Sequence, residues 1–254
     1  MSAALALAAA PDTVSGAVHS WDVSTNVDGP GTRFVAFLAG CPLRCLYCHN
    51  PDTWSRRSGT PTTAEDLLAR IDRYRRFIDV AGGGVTLSGG EPLLQPAFVE
   101  AVLRGCRERG LHTALDTAGS VGHLASDALL DQVDLVLLDI KSWGSPSYAE
   151  LTGGRLAPTL AFARRLAARG QRTWLRFVVV PGHTDRDDVV EGVAGFAASL
   201  GCVERVDVLP MHRLATAKYE ALGLDDPMAD VEPPSPETVA HVREIFTSHG
   251  LHAV

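Results

Sequence analysis

Residues 33–50 read RFVAFLAGCPLRCLYCHN, an apolar run that stops abruptly at three cysteines. Arg33–Leu38 (RFVAFL) is nearly continuously hydrophobic, the pattern of a parallel strand covered on both faces rather than of a half-exposed one. The loop that follows spaces Cys41, Cys45 and Cys48 as C-x3-C-x2-C, with His49 directly after. Its second half alone spells C-x-x-C-H, the attachment signature of a c-type haem. Taken whole, it has the donors for a Cys3His zinc site or for an iron–sulfur cluster.

Working outward, the strand pattern recurs at Gly84–Leu87, His112–Leu115, Leu135–Leu138, Thr173–Val180 and Arg205–Leu209. Helical periodicity fills the gaps. Thr62–Glu65 fits a capping box ahead of Leu67, Leu68, Ile71 and Tyr74. Phe98, Val102 and Cys106 mark a second helix that ends at Gly110. Further helices are expected over Leu160–Ala168, Val189–Leu200 and Pro236–Ser248, with a short one at Ser126–Gln132. Strands alternating with helices imply a parallel sheet with right-handed crossovers. Six units are too few for a closed eight-stranded barrel, which leaves a partial barrel open on one side or a doubly wound sheet. There is no internal repeat and no linker, so one domain is expected over 14–254 behind a frayed tail at 1–13.

The strand ends carry the chemistry. They run in turn into Gly40-Cys41, Ser88-Gly89-Gly90-Glu91, Asp116-Thr117, Asp139-Ile140-Lys141, Pro181-Gly182 and Pro210-Met211-His212. In parallel α/β folds the C-terminal strand ends form the active-site face. Six such endings in succession place cysteines, acids, a lysine, a histidine and exposed backbone around one mouth.

Composition narrows the class. The chain has 254 residues, 46% hydrophobic and 21% charged, with a formal net charge of −7. Such a balance argues against nucleic acid or an anionic membrane as the main partner, and no apolar run is long enough to span a bilayer. MSAALALAAAPDT carries no Lys or Arg, so the positive start of a signal peptide is missing and a cytoplasmic protein is expected. Five cysteines, three within eight residues, are not an even disulfide framework. A haem c reading needs export and leaves Cys41 unexplained. A structural zinc site usually draws on two separated ligand pairs, and there is no second pair. A [4Fe–4S] cluster normally takes four cysteines, so three would leave one iron open for chemistry.

C-x3-C-x2-C with an aromatic before the third cysteine resembles the radical S-adenosylmethionine (SAM) superfamily. VDGPGTRF (27–34), GCPLRCLYCHNPDTW (40–54), GGGVTLSGGEPLLQ (82–95), LDTAG (115–119), DLVLLDIK (134–141) and VVVPG (178–182) narrow the resemblance. Together they are similar to the activating enzymes of glycyl radical enzymes, most closely those acting on pyruvate formate-lyase. The resemblance covers residue 14 to the C-terminus. It implies a partial (β/α)6 barrel of the radical SAM type. It also implies reductive cleavage of SAM to methionine and a 5′-deoxyadenosyl radical, which removes an α-hydrogen from a glycine of the partner.

The resemblance assigns residues as well. Cys41, Cys45 and Cys48 are the implied cluster ligands, with Tyr47 and His49 beside the cluster and adenine. Gly89, Gly90 and Glu91 correspond to the loop meeting the methionine amino group. Asp139, Ile140 and Lys141 form a second SAM-contacting strand end, His212 a third, and Arg176 a further SAM-side residue. Asp116, Thr117, Asp139 and the Leu137 carbonyl match a monovalent-cation site, and Asp28 a contact to the glycine-bearing peptide. Flavodoxin or ferredoxin is the implied electron donor. No inserted ferredoxin-like region is present, which favours the pyruvate formate-lyase type, and a monomer is expected because no coiled-coil pattern appears. Taken singly, several of these residues have plainer readings. Gly89-Gly90 is also an ordinary βα turn, Asp139 and Lys141 a solvated pair, and His212 a loop histidine. Cys106 lies on a core stripe, and Cys202 has no motif. Relatives carry a glycine near Ala215, a departure that bears on the loop after His212.

Overall fold

The computed structural model describes residues 14–254, so the tail expected at 1–13 lies outside the described residues. Eight strands form one sheet: β1 (Ser15–Thr25), β2 (Thr32–Leu38), β3 (Thr60–Thr63), β4 (Gly84–Gly89), β5 (His112–Thr117), β6 (Leu135–Asp139), β7 (Thr173–Val179) and β8 (Val203–Pro210). Their order is β3-β1-β2-β4-β5-β6-β7-β8. The six expected strands are β2 and β4 to β8, all parallel. Two strands were not expected. β1 and β3 pair antiparallel on the β2 side; β3 is polar and half exposed, whereas β1 mixes polar residues with Val18, Trp21 and Val23, which pack on the core. The sheet does not close. β8's outer edge is met by the chain's own end, where Val206 N–H donates to the His252 carbonyl at 2.8 Å and Val208 N–H to that of Val254 at 3.0 Å.

The helices are α1 (Ala64–Asp72), α2 (Arg75–Val80), α3 (Pro96–Glu108), α4 (Asp127–Leu130), α5 (Ser145–Thr152), α6 (Leu156–Ala168), α7 (Asp187–Leu200), α8 (Thr216–Leu222) and α9 (Pro236–Ser248). The short α2, α5 and α8 were not expected. The capping residue of α1 is Thr63 rather than Thr62: its hydroxyl oxygen accepts from Asp66 N–H at 3.1 Å and its O–H donates to the Asp66 carboxylate at 2.7 Å. Asp66 thus takes the part expected of Glu65.

Alternation along the strands sorts their side chains. In β7, Thr173, Leu175, Phe177 and Val179 are buried. Leu175, Phe177 and Val179 pack with Val189 and Val193 of α7 and Phe246 of α9. Each such fully buried side chain contributes roughly 1.5–3 kcal/mol. The alternate set, including Arg176 and Val178, lines the barrel interior. Ala114, Leu135 and Leu137, packed with Trp174, form an apolar layer of their own. In the strand register Asp139 lies beside Arg176, and Arg176 beside Asp207. The polar row is a consequence of period-2 geometry.

Candidate active site

A cavity of about 440 Å3 opens in the barrel, lined by residues from the strand ends and the loops that follow them. Of the residues singled out in the sequence, Asp28, Cys41, Cys45, Tyr47, Cys48, His49, Gly89, Gly90, Asp116, Thr117, Asp139, Lys141, Arg176 and His212 line it. Leu137, Glu91 and Ile140 do not, and all three are fully buried.

The cysteine loop is held from several directions. Gly40 N–H donates to the Thr53 carbonyl at 2.6 Å and Cys41 N–H to that of Trp54 at 3.1 Å. Arg44 and Leu46 N–H groups donate to the last carbonyls of α5, at Thr152 and Leu151. The Arg44 guanidinium reaches back to the Cys41 carbonyl at 2.8 Å and sits over the Trp54 ring. None of the three cysteines is in a disulfide. Burial pushes the Cys41 thiol up to about 12 and the Cys45 thiol to about 11, with Lys141 acting in the opposite direction on both. Three thiolates at this depth are stable only with a cationic centre between them.

Gly89 and Gly90 carry the close approach that the loop requires. Gly89 has φ +113, and a Cβ there would collide with the Leu38 backbone. One on Gly90 would collide with the Gly40 carbonyl. Glu91 supports them from behind. Its carboxylate accepts from Thr117 O–H at 2.7 Å, Ala118 N–H at 3.1 Å and Leu93 N–H at 3.1 Å. Burial raises its carboxyl to about 7 against these donors. Glu91 is therefore a strut between the β4 and β5 loops, and the Thr117 hydroxyl is turned toward it. Glu91→Ala leaves three buried donors unpaired, which costs about 3 kcal/mol in all at the lower end of 1–3 kcal/mol per group. Thermal unfolding of the metal-free protein is expected roughly 6–12 °C lower. A melting point within 2 °C of wild type would count against the strut.

The acids gather on one arginine. Arg176 Nη1 lies 3.1 Å from Asp116 Oδ2 and 3.8 Å from Asp28 Oδ1, and Ser88 O–H donates to Asp116 Oδ2 at 2.6 Å. Asp116 Oδ1 and Arg176 Nε are buried without a partner among the described residues. Lys141 pairs with Asp139 at 3.2 Å and stands 5.7 Å from the Tyr47 ring centroid. Burial opposes its charge, yet Asp139, Tyr47 and Cys45 hold it well above the usual lysine range. Across the mouth, His49 and His212 stack at 3.7 Å, and His49 Nε2 is 3.1 Å from the His212 carbonyl.

Several supporting residues carried no signal in the sequence. Lys218 on α8 donates to Asn50 at 2.7 Å and pairs with Asp52 at 3.2 Å, fastening α8 to the turn after the cysteines. Arg33 reads in the sequence only as the start of a strand. Ala215 takes φ −87 at the start of α8, a conformation open to any residue, so the missing glycine imposes no strain there.

An open parallel barrel with C-x3-C-x2-C on the loop after its first parallel strand is the architecture of radical SAM enzymes, and the Radical SAM superfamily profile matches residues 35–191. The chain is 42% identical over 240 residues to the pyruvate formate-lyase 1-activating enzyme of Escherichia coli strain K12, covering 94% of this chain and 98% of that protein. It is 44% identical over 219 residues to the pyruvate formate-lyase-activating enzyme of Clostridium pasteurianum, covering 86% and 92%. A crystallised domain of the enzyme from Bacteroides vulgatus aligns with a TM-score of 0.56 at 29% identity, over 68% of this chain and 98% of that one. The chain belongs to the radical SAM superfamily, in its branch of pyruvate formate-lyase activating enzymes. The cofactors of this superfamily are a [4Fe–4S] cluster and SAM. The donor set fits both: three free cysteines on one loop facing the cavity, a glycine cradle with no room for a Cβ, and a half-buried ammonium beside them.

Proposed function

We propose that the protein activates pyruvate formate-lyase by generating a glycyl radical on it. The observation that carries this reading is the convergence of Cys41, Cys45, Cys48, Gly89, Gly90, Lys141 and His212 on one cavity, in a chain of this family. With the cofactors bound, electron transfer from the cluster splits SAM into methionine and a 5′-deoxyadenosyl radical that takes the glycine hydrogen.

The chain's own residues bind, orient and exclude water. Cys41, Cys45 and Cys48 would hold the cluster, which would supply the electron for SAM cleavage. Gly89 and Gly90 present backbone to the SAM amino group, and Glu91 acts on them from outside the cavity. Lys141, held charged by Asp139, meets the SAM carboxylate. His49, Tyr47 and His212 border the adenosine, with Arg176 on its acidic flank, and Ile140 packs behind the strand end. Asp116, Thr117, Asp139 and the Leu137 carbonyl take a monovalent cation. The unpartnered Asp116 Oδ1, with Asp28 and Asp139 close by, supports this. Asp28 meets the glycine-bearing loop. The electron donor is a flavodoxin or ferredoxin, and the protein works as a cytoplasmic monomer with residues 14–254 as one domain. No helix among the described residues is long and apolar enough to cross a membrane.

Reduced holoenzyme mixed with SAM and anaerobic pyruvate formate-lyase is expected to give stoichiometric deoxyadenosine and a glycyl radical signal in EPR. Lys141→Ala removes a charged partner and weakens SAM binding about 10- to 100-fold with iron content intact. His212→Ala weakens it roughly 5-fold through lost stacking. Normal SAM affinity in both variants would mean that the pocket is elsewhere.

A further inference from the structure

Asp28 reaches the cavity by an unusual route. The turn 26–31 joins β1 to the start of β2, whereas the cysteine loop follows the end of β2. The turn therefore enters from the opposite end of the barrel, yet Val27 and Asp28 line the same cavity.

Beneath it lies Arg33, whose side chain is among the largest that are fully buried. All four of its hydrogen bonds go to neutral oxygens. Nε donates to Thr86 Oγ1 at 2.6 Å, Nη1 to the Pro30 carbonyl at 3.2 Å, and Nη2 to the carbonyls of Val85 at 2.7 Å and His112 at 3.4 Å. The Thr86 hydroxyl, having accepted from Arg33, donates to the Asp28 carbonyl at 2.7 Å. The guanidinium thus grips β4 and the start of β5 on one side and the turn on the other. Burying a charge is costly, and an apolar side chain would pack a strand more cheaply. What the arginine adds is a fixed turn.

We propose that Arg33, acting through Thr86 and the Pro30 carbonyl, is the positioning residue that sets Asp28 at the cavity for the substrate peptide. The inference rests on the peptide-contacting reading of Asp28 given above. The Asp28 carboxylate is fixed separately, by Ser24 O–H at 2.8 Å and by Arg176. The backbone is what Arg33 holds. Within the turn, Asn26 N–H donates to the Gly31 carbonyl at 2.9 Å, and Gly31 N–H to the Asn26 side chain at 3.0 Å. These bonds close the turn on itself but do not tie it to the barrel, and a surface turn without such ties opens easily.

The test uses reconstituted holoenzyme and a short peptide copying the glycine loop of pyruvate formate-lyase. Thr86→Val keeps the side-chain shape and removes the relay, Thr86→Ser restores the hydroxyl, and Arg33→Met removes the pillar. In Thr86→Val and Arg33→Met the KM for peptide should rise about 10-fold or more. Amide hydrogen exchange over 26–31 should accelerate, while iron content and peptide-independent SAM cleavage stay at wild-type levels. Thr86→Ser should return both peptide KM and exchange to near wild type. Unchanged KM and unchanged exchange in Thr86→Val overturn the proposal, and the Thr86 pair decides it even if Arg33→Met does not fold. Asp28→Ala run alongside separates the two readings. If it binds peptide normally, Asp28 was misread. If it fails while Thr86→Val does not, the positioning role is wrong.

Discussion

Cys45→Ala protein, purified without oxygen and reconstituted with iron and sulfide, will be colourless and inactive, whereas wild type will hold about four irons per chain. The expectation follows from the loop's construction. Cys41 and Cys45 are thiols pushed up by burial, and Cys48 shares their direction. They reach the thiolate state only by binding metal together. Removing one leaves two buried sulfurs and two irons without protein ligands, so the cluster is lost as a unit rather than weakened. Cys106→Ser provides the contrast, because Cys106 is fully buried in the hydrophobic core, away from the cavity. That variant should keep its cluster and show only the stability cost of a buried hydroxyl, about 1–3 kcal/mol. Full iron retention in Cys45→Ala would falsify the ligand assignment.

The second large effect concerns the partner's glycine. A peptide copying the pyruvate formate-lyase glycine loop, deuterated at the glycine α-carbon, is expected to pass its label to 5′-deoxyadenosine. A glycine radical is stabilised by its two flanking amides, so a backbone glycine is a reasonable donor. Access depends on the shape of the barrel: β3 and β8 end the sheet without pairing to each other, and residues 252–254 occupy β8's edge. Asp28 faces the cavity beside Arg176, where its carboxylate can accept from the amides of an extended loop without reading side chains. Asp28→Ala should raise peptide KM about 10- to 100-fold and change SAM affinity far less. Deoxyadenosine free of label, formed with the deuterated peptide bound, would point to a different radical substrate.

Much of this was legible before folding. The six parallel strands were readable because strands covered on both faces must be apolar along their length, as in LVLL and GVTL. Most helix ends were readable from caps and stops, and the last helix was placed at its observed bounds, Pro236–Ser248. The cysteine spacing carried the metal chemistry, and the polar strand ends marked the mouth, because a parallel sheet brings such ends together whatever the loops do. The two antiparallel strands carried the weakest signal. β3 is polar and half exposed, and the apolar residues of β1, Val18, Trp21 and Val23, are put out of step by a register shift, so pairing defines both.

The roles within the site were decided by the tertiary structure. Glu91 belongs to the same short motif as Gly89 and Gly90, yet the β4–β5 contact turns its carboxylate to Thr117 and Ala118 and away from the cavity. His49 and His212 are 163 residues apart and meet only because the barrel curves. Arg33 reads as the first residue of a hydrophobic strand, and its neighbours in sequence do not distinguish an exposed strand start from a buried pillar. Spacing along the chain fixes which residues share a loop. Which hydrogen-bond partners a buried charge finds depends on strands folded against it from elsewhere, and that is set only when the sheet has curved around them.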